Sequence, residues 1–242
     1  MAPPLATVGD VVSRIWSDVT STQQAPSQAL ILATAAATLA LVVLPGAWSR
    51  SRHLVTMAHE GAHGLAALLS GRRLQSITLH TDTSGRAVSS GRTRGLGMIV
   101  TTAAGYPGPA LLGLGAAVLL GHGHALAVLW IGVVLLALML VHIRNLWGIV
   151  TVLAAGGLVF AATWWAGERT QSLVAYAVTW FLLLAAPRPV FELQRSRRRG
   201  RGANSDADAL ARLTPLPGIA WVGVFLVLTV GALVLGSQQL LA

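Results

Sequence analysis

The sequence contains no cysteine and no lysine, and it has only eight carboxylates in 242 residues, three of them glutamate. Without cysteine there are neither disulfides nor thiolate metal ligands, so a metal would have to be held by His, Asp, Glu or water. Without lysine the positive charge rests entirely on 17 arginines. Charged residues make up 10% of the chain against 54% hydrophobic, with a mean hydropathy of +0.67. That balance excludes a soluble domain with a wet surface and points to an integral membrane protein. The start of the chain also lacks a positive n-region followed by a short apolar core, so residues 1–28 are expected to form a retained polar N-terminal tail.

What the chain has in quantity is apolar sequence. Seven runs stand out, at residues 29–48, 54–69, 96–120, 125–141, 146–166, 172–186 and 219–235. Most approach the roughly 20 residues of a spanning helix, while the second and sixth are short. The expectation is an all-α polytopic membrane protein, a single domain over 29–242 with about seven transmembrane helices. Alternating those seven spans assigns fourteen arginines to the side of the N-terminus and Arg50, Arg52 and Arg169 to the other, which predicts a cytoplasmic N-terminus. The basic run RSRRRGR, Arg195 to Arg201, lies near a span. Such runs contact anionic lipid, and no groove-reading module accompanies this one, so no nucleic-acid partner is expected.

Two polar segments interrupt the apolar runs. LQSITLHTDTSGRAVSSGR, Leu74 to Arg92, alternates, is rich in Ser, Thr and β-branched residues, and has Ser84-Gly85 as a turn. It reads as a short membrane-associated β-hairpin. Residues 187–217 begin with a basic stretch of disordered character and continue as NSDADALARLTPLPG. There Ser205-x-x-Asp208 fits a capping box opening a short helix that Pro215 and Pro217 would end. The third apolar run contains AAGYPGPALLGLG. A helix broken by Pro107, Pro109 and several glycines survives in lipid only where protein or a water-filled cavity satisfies the freed backbone groups.

The chemistry concentrates in MAHEGAHGLAALLSG, Met57 to Gly71. On a helix His59 and His63 stand one turn apart on one face and can share an ion, with Glu60 leaning over its open position. Zinc lowers the pKa of a bound water to about 7, and a neighbouring carboxylate can take its proton as it attacks an amide carbonyl. The chain's His and Glu content would produce this pattern by chance roughly 0.003 times. Ionisable groups at membrane depth are costly and default to functional hypotheses. The blander reading is a hydrogen-bonded histidine pair with Glu60 in an ion pair. The same His/Glu cluster would also suit a small cation transporter, and a non-catalytic membrane scaffold is a further possibility. For a third ligand the residues leave Asp82, Asp206 and Asp208 open. Asp206 and Asp208 point roughly 200° apart on a helix, so one metal would take only one of them; if Asp208 completes the capping box, Asp206 is free.

The order HEGAH, polar hairpin, AAGYPGP, Arg144-Asn145 and NSDADAL resembles the site-2 protease class of intramembrane zinc metalloproteases, and more closely its compact bacterial and plant branch with an Asn-Ser-Asp-Ala motif. The resemblance covers roughly residues 54–235. It implies a Zn2+ held by His59, His63 and Asp206, Glu60 as general base, a membrane-protein substrate, and residence in a bacterial cell membrane. The chain departs from other members of the class in lacking an Asn-Pro-x-Pro, Leu-Asp-Gly signature and a soluble regulatory domain. Within this reading, the hairpin edge from Ile77 to Ser90 is a candidate to hold an unwound substrate as an added strand. Tyr106 and Asn145 are candidate oxyanion donors, although each reads equally as a helix-packing polar group. His122 and His124 are expected in an exposed turn, and Trp48, Trp147, Trp164 and Trp165 in an interfacial belt.

Overall fold

A computed structural model of the chain describes residues 7–200 and 205–242. The tail is more than a polar leader. It contains helix α1 (Val8–Thr20), opened by a capping box in which Thr7 accepts from the Asp10 amide and Asp10 accepts from the Thr7 amide. Helices α2 (Gln28–Val43) and α3 (Pro45–Leu69) follow and meet at a bend of 100° beside Pro45. The polar segment forms strands β1 (Arg73–Leu79) and β2 (Gly85–Ser90), paired antiparallel with Ile77 opposite Ala87. The hairpin is as expected, but its turn is not at Ser84-Gly85: it lies at residues 80–84, and Gly85 already pairs with Leu79 as the first residue of β2.

Helices α4 (Leu96–Ala103) and α5 (Pro107–Gly121) are bent by 73° at the break before Pro107. Then come α6 (Ala125–His142), α7 (Leu146–Trp165), α8 (Glu168–Ala185), α9 (Pro187–Arg198), α10 (Asp206–Leu213) and α11 (Gly218–Leu241). The basic start of the second polar segment is therefore helical as α9, because Pro187 and Pro189 fall in its first turn, where a missing N–H costs nothing. Asn204 and Arg201, from two of the quoted motifs, lie outside the described residues.

Among the described residues, α6, α7, the α8–α9 stretch and α11 are each long and apolar enough to cross a membrane, and there are up to six spans if each bent pair counts as one. The expected count of seven treats α2 and α3 as separate spans. At 100°, α3 neither continues α2 nor returns antiparallel beside it. Trp48, expected in an interfacial belt, is instead buried in α3, with its indole N–H donating to Glu192 at 2.9 Å.

The long helices pack through small residues, as helices in lipid do when no water drives them together. A Cβ on Gly236 of α11 would stand 2.6 Å from Leu183 of α8, and one on Gly113 of α5 would stand 3.0 Å from the same side chain.

The two ends of the bundle are distinct. α1 docks where α5 passes to α6 and α7 to α8: Gln23 N donates to Gly123 O at 2.8 Å, His124 Nδ1 lies 3.1 Å from Ser21 O, and Arg14 donates to Trp164 O at 2.6 Å. The cytoplasmic N-terminus expected from seven alternating spans puts the tail and these turns on opposite sides. The contacts bring them together at one end of the bundle. At the other end lie the hairpin and the α6–α7 turn, joined by a parallel bridge from Ile77 to Ile143.

Candidate metal centre

His59, Glu60 and His63 sit in the middle of α3, where one helical turn carries both imidazoles to the same face. The third member comes from far along the chain. Asp206 is the first residue of α10, a two-turn helix anchored by fully buried Ala207 and Leu210 against Val190, Leu193, Val222 and Phe225 of α9 and α11. Ser205 caps α10, accepting weakly from the Asp208 amide at 3.4 Å, while its hydroxyl donates to Asp208 Oδ2 at 2.7 Å. Arg197 of α9 donates to Asp208 Oδ1 and reaches the Ser205 hydroxyl at 3.4 Å. Asp208 is thereby committed to the cap, and Asp206 faces α3.

The three ligand atoms form a nearly equilateral triangle. His59 Nε2 and His63 Nε2 are 3.1 Å apart, and Asp206 Oδ2 lies 3.3 Å and 3.2 Å from them. Four tetrahedral bonds of 2.0–2.1 Å place ligand atoms about 3.3–3.4 Å from one another. Asp206 Oδ2 is buried and makes no hydrogen bond. His63 Nδ1 lies 2.7 Å from the Thr101 carbonyl. As a donor there it leaves the Nε2 lone pair aimed at the centre, the outer support that metal-ligating histidines commonly have. Converging lone pairs of this kind repel unless a cation lies between them, so the donor set of two imidazoles and a carboxylate fits zinc.

The walls explain why the triangle is possible. A Cβ on Gly105, at the α4–α5 break, would fall 2.3 Å from His63 Nε2, and one on Gly108 would fall 2.3 Å from the Ala62 Cβ. The broken helix therefore approaches the histidines through bare backbone. Tyr106 stands edge-on to the His59 ring at 4.8 Å between centroids and stacks on Phe225 of α11 at 5.1 Å. Glu60 is buried beneath the hairpin, with Gly85 so close that a Cβ there would meet its Oε1 at 2.9 Å.

The profile of the Peptidase M50B-like family matches residues 32–236. The chain belongs to this family. M50B-like proteins are the site-2 protease family, which makes this chain a member of a group of intramembrane metallopeptidases. No curated protein and no solved structure is similar enough to the chain to add to that.

The remaining candidate residues lie elsewhere. Asp82 is in the hairpin turn, accepting from the Ser84 hydroxyl at 2.7 Å and the Ser84 amide at 3.0 Å; those bonds hold its carboxyl below the usual carboxylate range. Among the described residues it is not in the metal-capable group, and neither is Asp208. Asn145 spends its amide on the hairpin, donating to Leu79 O at 2.6 Å and accepting from Leu79 N at 3.2 Å, so it is no oxyanion donor in this arrangement. His124 holds the N-terminal segment rather than standing free. Sequence reasoning missed Gly85, Gly105, the Thr101 carbonyl and Arg197. The glycine-rich AAGYPGP is the one visible signal, and by itself it indicates a broken helix without naming its partner.

Proposed function

We propose that the protein is a zinc-dependent intramembrane endopeptidase that hydrolyses peptide bonds in or near transmembrane segments of other membrane proteins. The observation that carries this reading is the convergence of His59 Nε2, His63 Nε2 and Asp206 Oδ2, all within 3.3 Å, on the helix that buries Glu60. In this reading those three residues hold the metal and Glu60 is the general base. A bound zinc would supply Lewis acidity at the scissile carbonyl and acidify water at the centre. Glu60 takes the proton of the attacking water and returns it to the amide nitrogen as the C–N bond breaks. The Thr101 carbonyl fixes the tautomer of His63, and Tyr106 fixes the ring plane of His59.

A transmembrane helix hides its carbonyls in its own hydrogen bonds, so the substrate must arrive unwound. The β1 side of the hairpin is filled: Arg144 N donates to Ile77 O at 3.0 Å and Asn145 covers Leu79. The side that remains belongs to β2, whose Gly85 lies against Glu60, and a substrate strand added there would run beside the general base. The shared end of α1 and the α5–α6 and α7–α8 turns supports an orientation. Among the described residues only Arg14 and Arg169 flank that end, and the other fourteen arginines belong to segments at the opposite one. The arginine-rich end, with hairpin and α10, is cytoplasmic in this reading, and the N-terminus lies outside. The arginines at 195–199 then face anionic lipid on the cytoplasmic leaflet.

Elemental mass spectrometry of detergent-purified protein tests the ligand set. Near one zinc per chain is expected in the parent and in Glu60→Gln, and none in His59→Ala, His63→Ala or Asp206→Ala. Activity is tested by comparing new N-termini of membrane proteins in cells producing the parent or Glu60→Gln, where only the parent should generate them. A folded parent without stoichiometric metal would overturn the proposal.

A further inference from the structure

A cavity of about 710 Å³ opens between the C-terminal end of α3, the base of the hairpin and the start of α4, with Ser70, Arg72, Arg92, Thr93, Arg94 and Gly97 in its wall. We infer that it binds the phosphate headgroup of an anionic phospholipid. The argument begins with charge. Three arginines line one cavity and no carboxylate does; the sequence from residue 83 to 167 contains no Asp or Glu at all.

The three guanidiniums are not equivalent. Arg72 is buried and built in, its Nε donating to the Ser89 hydroxyl at 3.1 Å and its Nη1 to the Arg92 carbonyl. It ties the hairpin base to the loop and forms a fixed floor. Arg92 and Arg94 are exposed and take part in none of the ion pairs among the described residues. Guanidiniums without carboxylates in a shared concavity, with the Ser70 and Thr93 hydroxyls beside them, match a phosphate, which accepts several forked donors at once.

The surroundings select a lipid over a soluble phosphate. Leu69, at the end of α3, and Leu96, at the start of α4, are each 80% exposed, and Leu68 is exposed beside them. Cavity and apolar rim are contiguous in the chain, so a headgroup in the cavity leaves its acyl chains over leucines that otherwise have no cover. This place is distinct from the basic run on α9. It is also close to the metal centre in the fold: Thr101, whose carbonyl supports His63, donates its hydroxyl to Gly97 O in the cavity wall at 2.7 Å. The inference does not depend on the peptidase reading.

The test is native mass spectrometry of the full chain in detergent, titrated with dioleoyl phosphatidylglycerol, dioleoyl phosphatidylcholine or inorganic phosphate. Phosphatidylglycerol should bind in preference to phosphatidylcholine. Arg92→Gln/Arg94→Gln should weaken it by about tenfold or more, from two lost basic contacts, whereas Arg169→Gln, exposed at the other end of the bundle, should leave it unchanged. Arg72 is left intact because it holds the hairpin, and an unchanged melting temperature in the double variant certifies its fold. Equal binding of the two lipids, or undiminished phosphatidylglycerol binding in Arg92→Gln/Arg94→Gln, would overturn the inference. So would displacement of the lipid by millimolar inorganic phosphate, which would assign the cavity to a soluble anion.

Discussion

Gly105 has no side chain at the one place where the imidazoles of His59 and His63 need the space, since a Cβ there would overlap His63 Nε2 at 2.3 Å and His59 Cε1 at 2.6 Å. Both neighbours are rigid rings held by other contacts, so they cannot swing aside at low cost. Gly105→Ala should therefore lose stoichiometric zinc and cost about 1–3 kcal/mol of stability, the usual penalty of overpacking. Gly115→Ala, with nothing within 4 Å of its added methyl, should change neither zinc content nor melting temperature. Arg197 works at one remove. Removing it leaves Asp208 with only the Ser205 hydroxyl and loosens the start of α10, so Arg197→Ala should lower zinc affinity by about tenfold, as lost outer support does at other metal sites; competition with a chromogenic chelator measures it. The histidines were legible in the sequence because i, i+4 spacing is a local property of a helix. Gly105 was not, because its requirement comes from a neighbour some 40 residues away.

Among the elements, the hairpin is pinned by a side chain that imitates a peptide. Asn145 makes both the donor and the acceptor bond to Leu79 that a neighbouring strand would make, and Gly148 leaves room for it, since a Cβ there would meet Asn145 Oδ1 at 2.7 Å. Asn145→Ala should cost about 1–3 kcal/mol, from two bonds lost at a partly buried site, with faster hydrogen exchange at the Leu79 amide. Asp82, in contrast, serves only its turn. Its carboxyl is held below its ordinary value by Ser84, so its contribution is present above about pH 4 and fades as pH falls lower; exchange at the Ser84 amide should show that loss, and Asp82→Asn should keep its zinc. The hairpin and the α10 cap were readable from alternation and from Ser205-x-x-Asp208. The helical state of α9 was not, since its arginines lower local apolarity while packing of Val190 and Leu193 against α10 and α11 decides the matter.

For the whole molecule, apolar runs reveal the number of greasy segments but not their angles. Nothing in the sequence around Pro45 distinguishes a bend of 100° from a loop between two crossings, and the orientation of the N-terminus changes with that distinction. The absence of native cysteine makes the test clean. Single cysteines at Ser21 and His122 should react with a membrane-impermeant maleimide in intact cells, and those at Thr93 and Arg199 should react only after lysis. Labelling of Ser21→Cys and His122→Cys from opposite sides would contradict the docking of α1.

The metal-capable triangle also joins distant parts of the chain, because His63 and Asp206 are 143 residues apart. A cation held by both would act as a cross-link closing a very long loop, and its binding free energy would add to that of the folded bundle. Chelation should accordingly lower the melting temperature of the parent and leave that of Asp206→Ala unchanged. The same spacing sets a clock on biosynthesis. A nascent chain emerging from the ribosome carries HEGAH early but receives its third ligand only when α10 has been made, and Asp206 is seated only when α11 arrives behind it. Truncated or half-made copies thus hold two histidines and a glutamate without the third metal-capable side chain, and the triangle is completed only once α10 and α11 are in place.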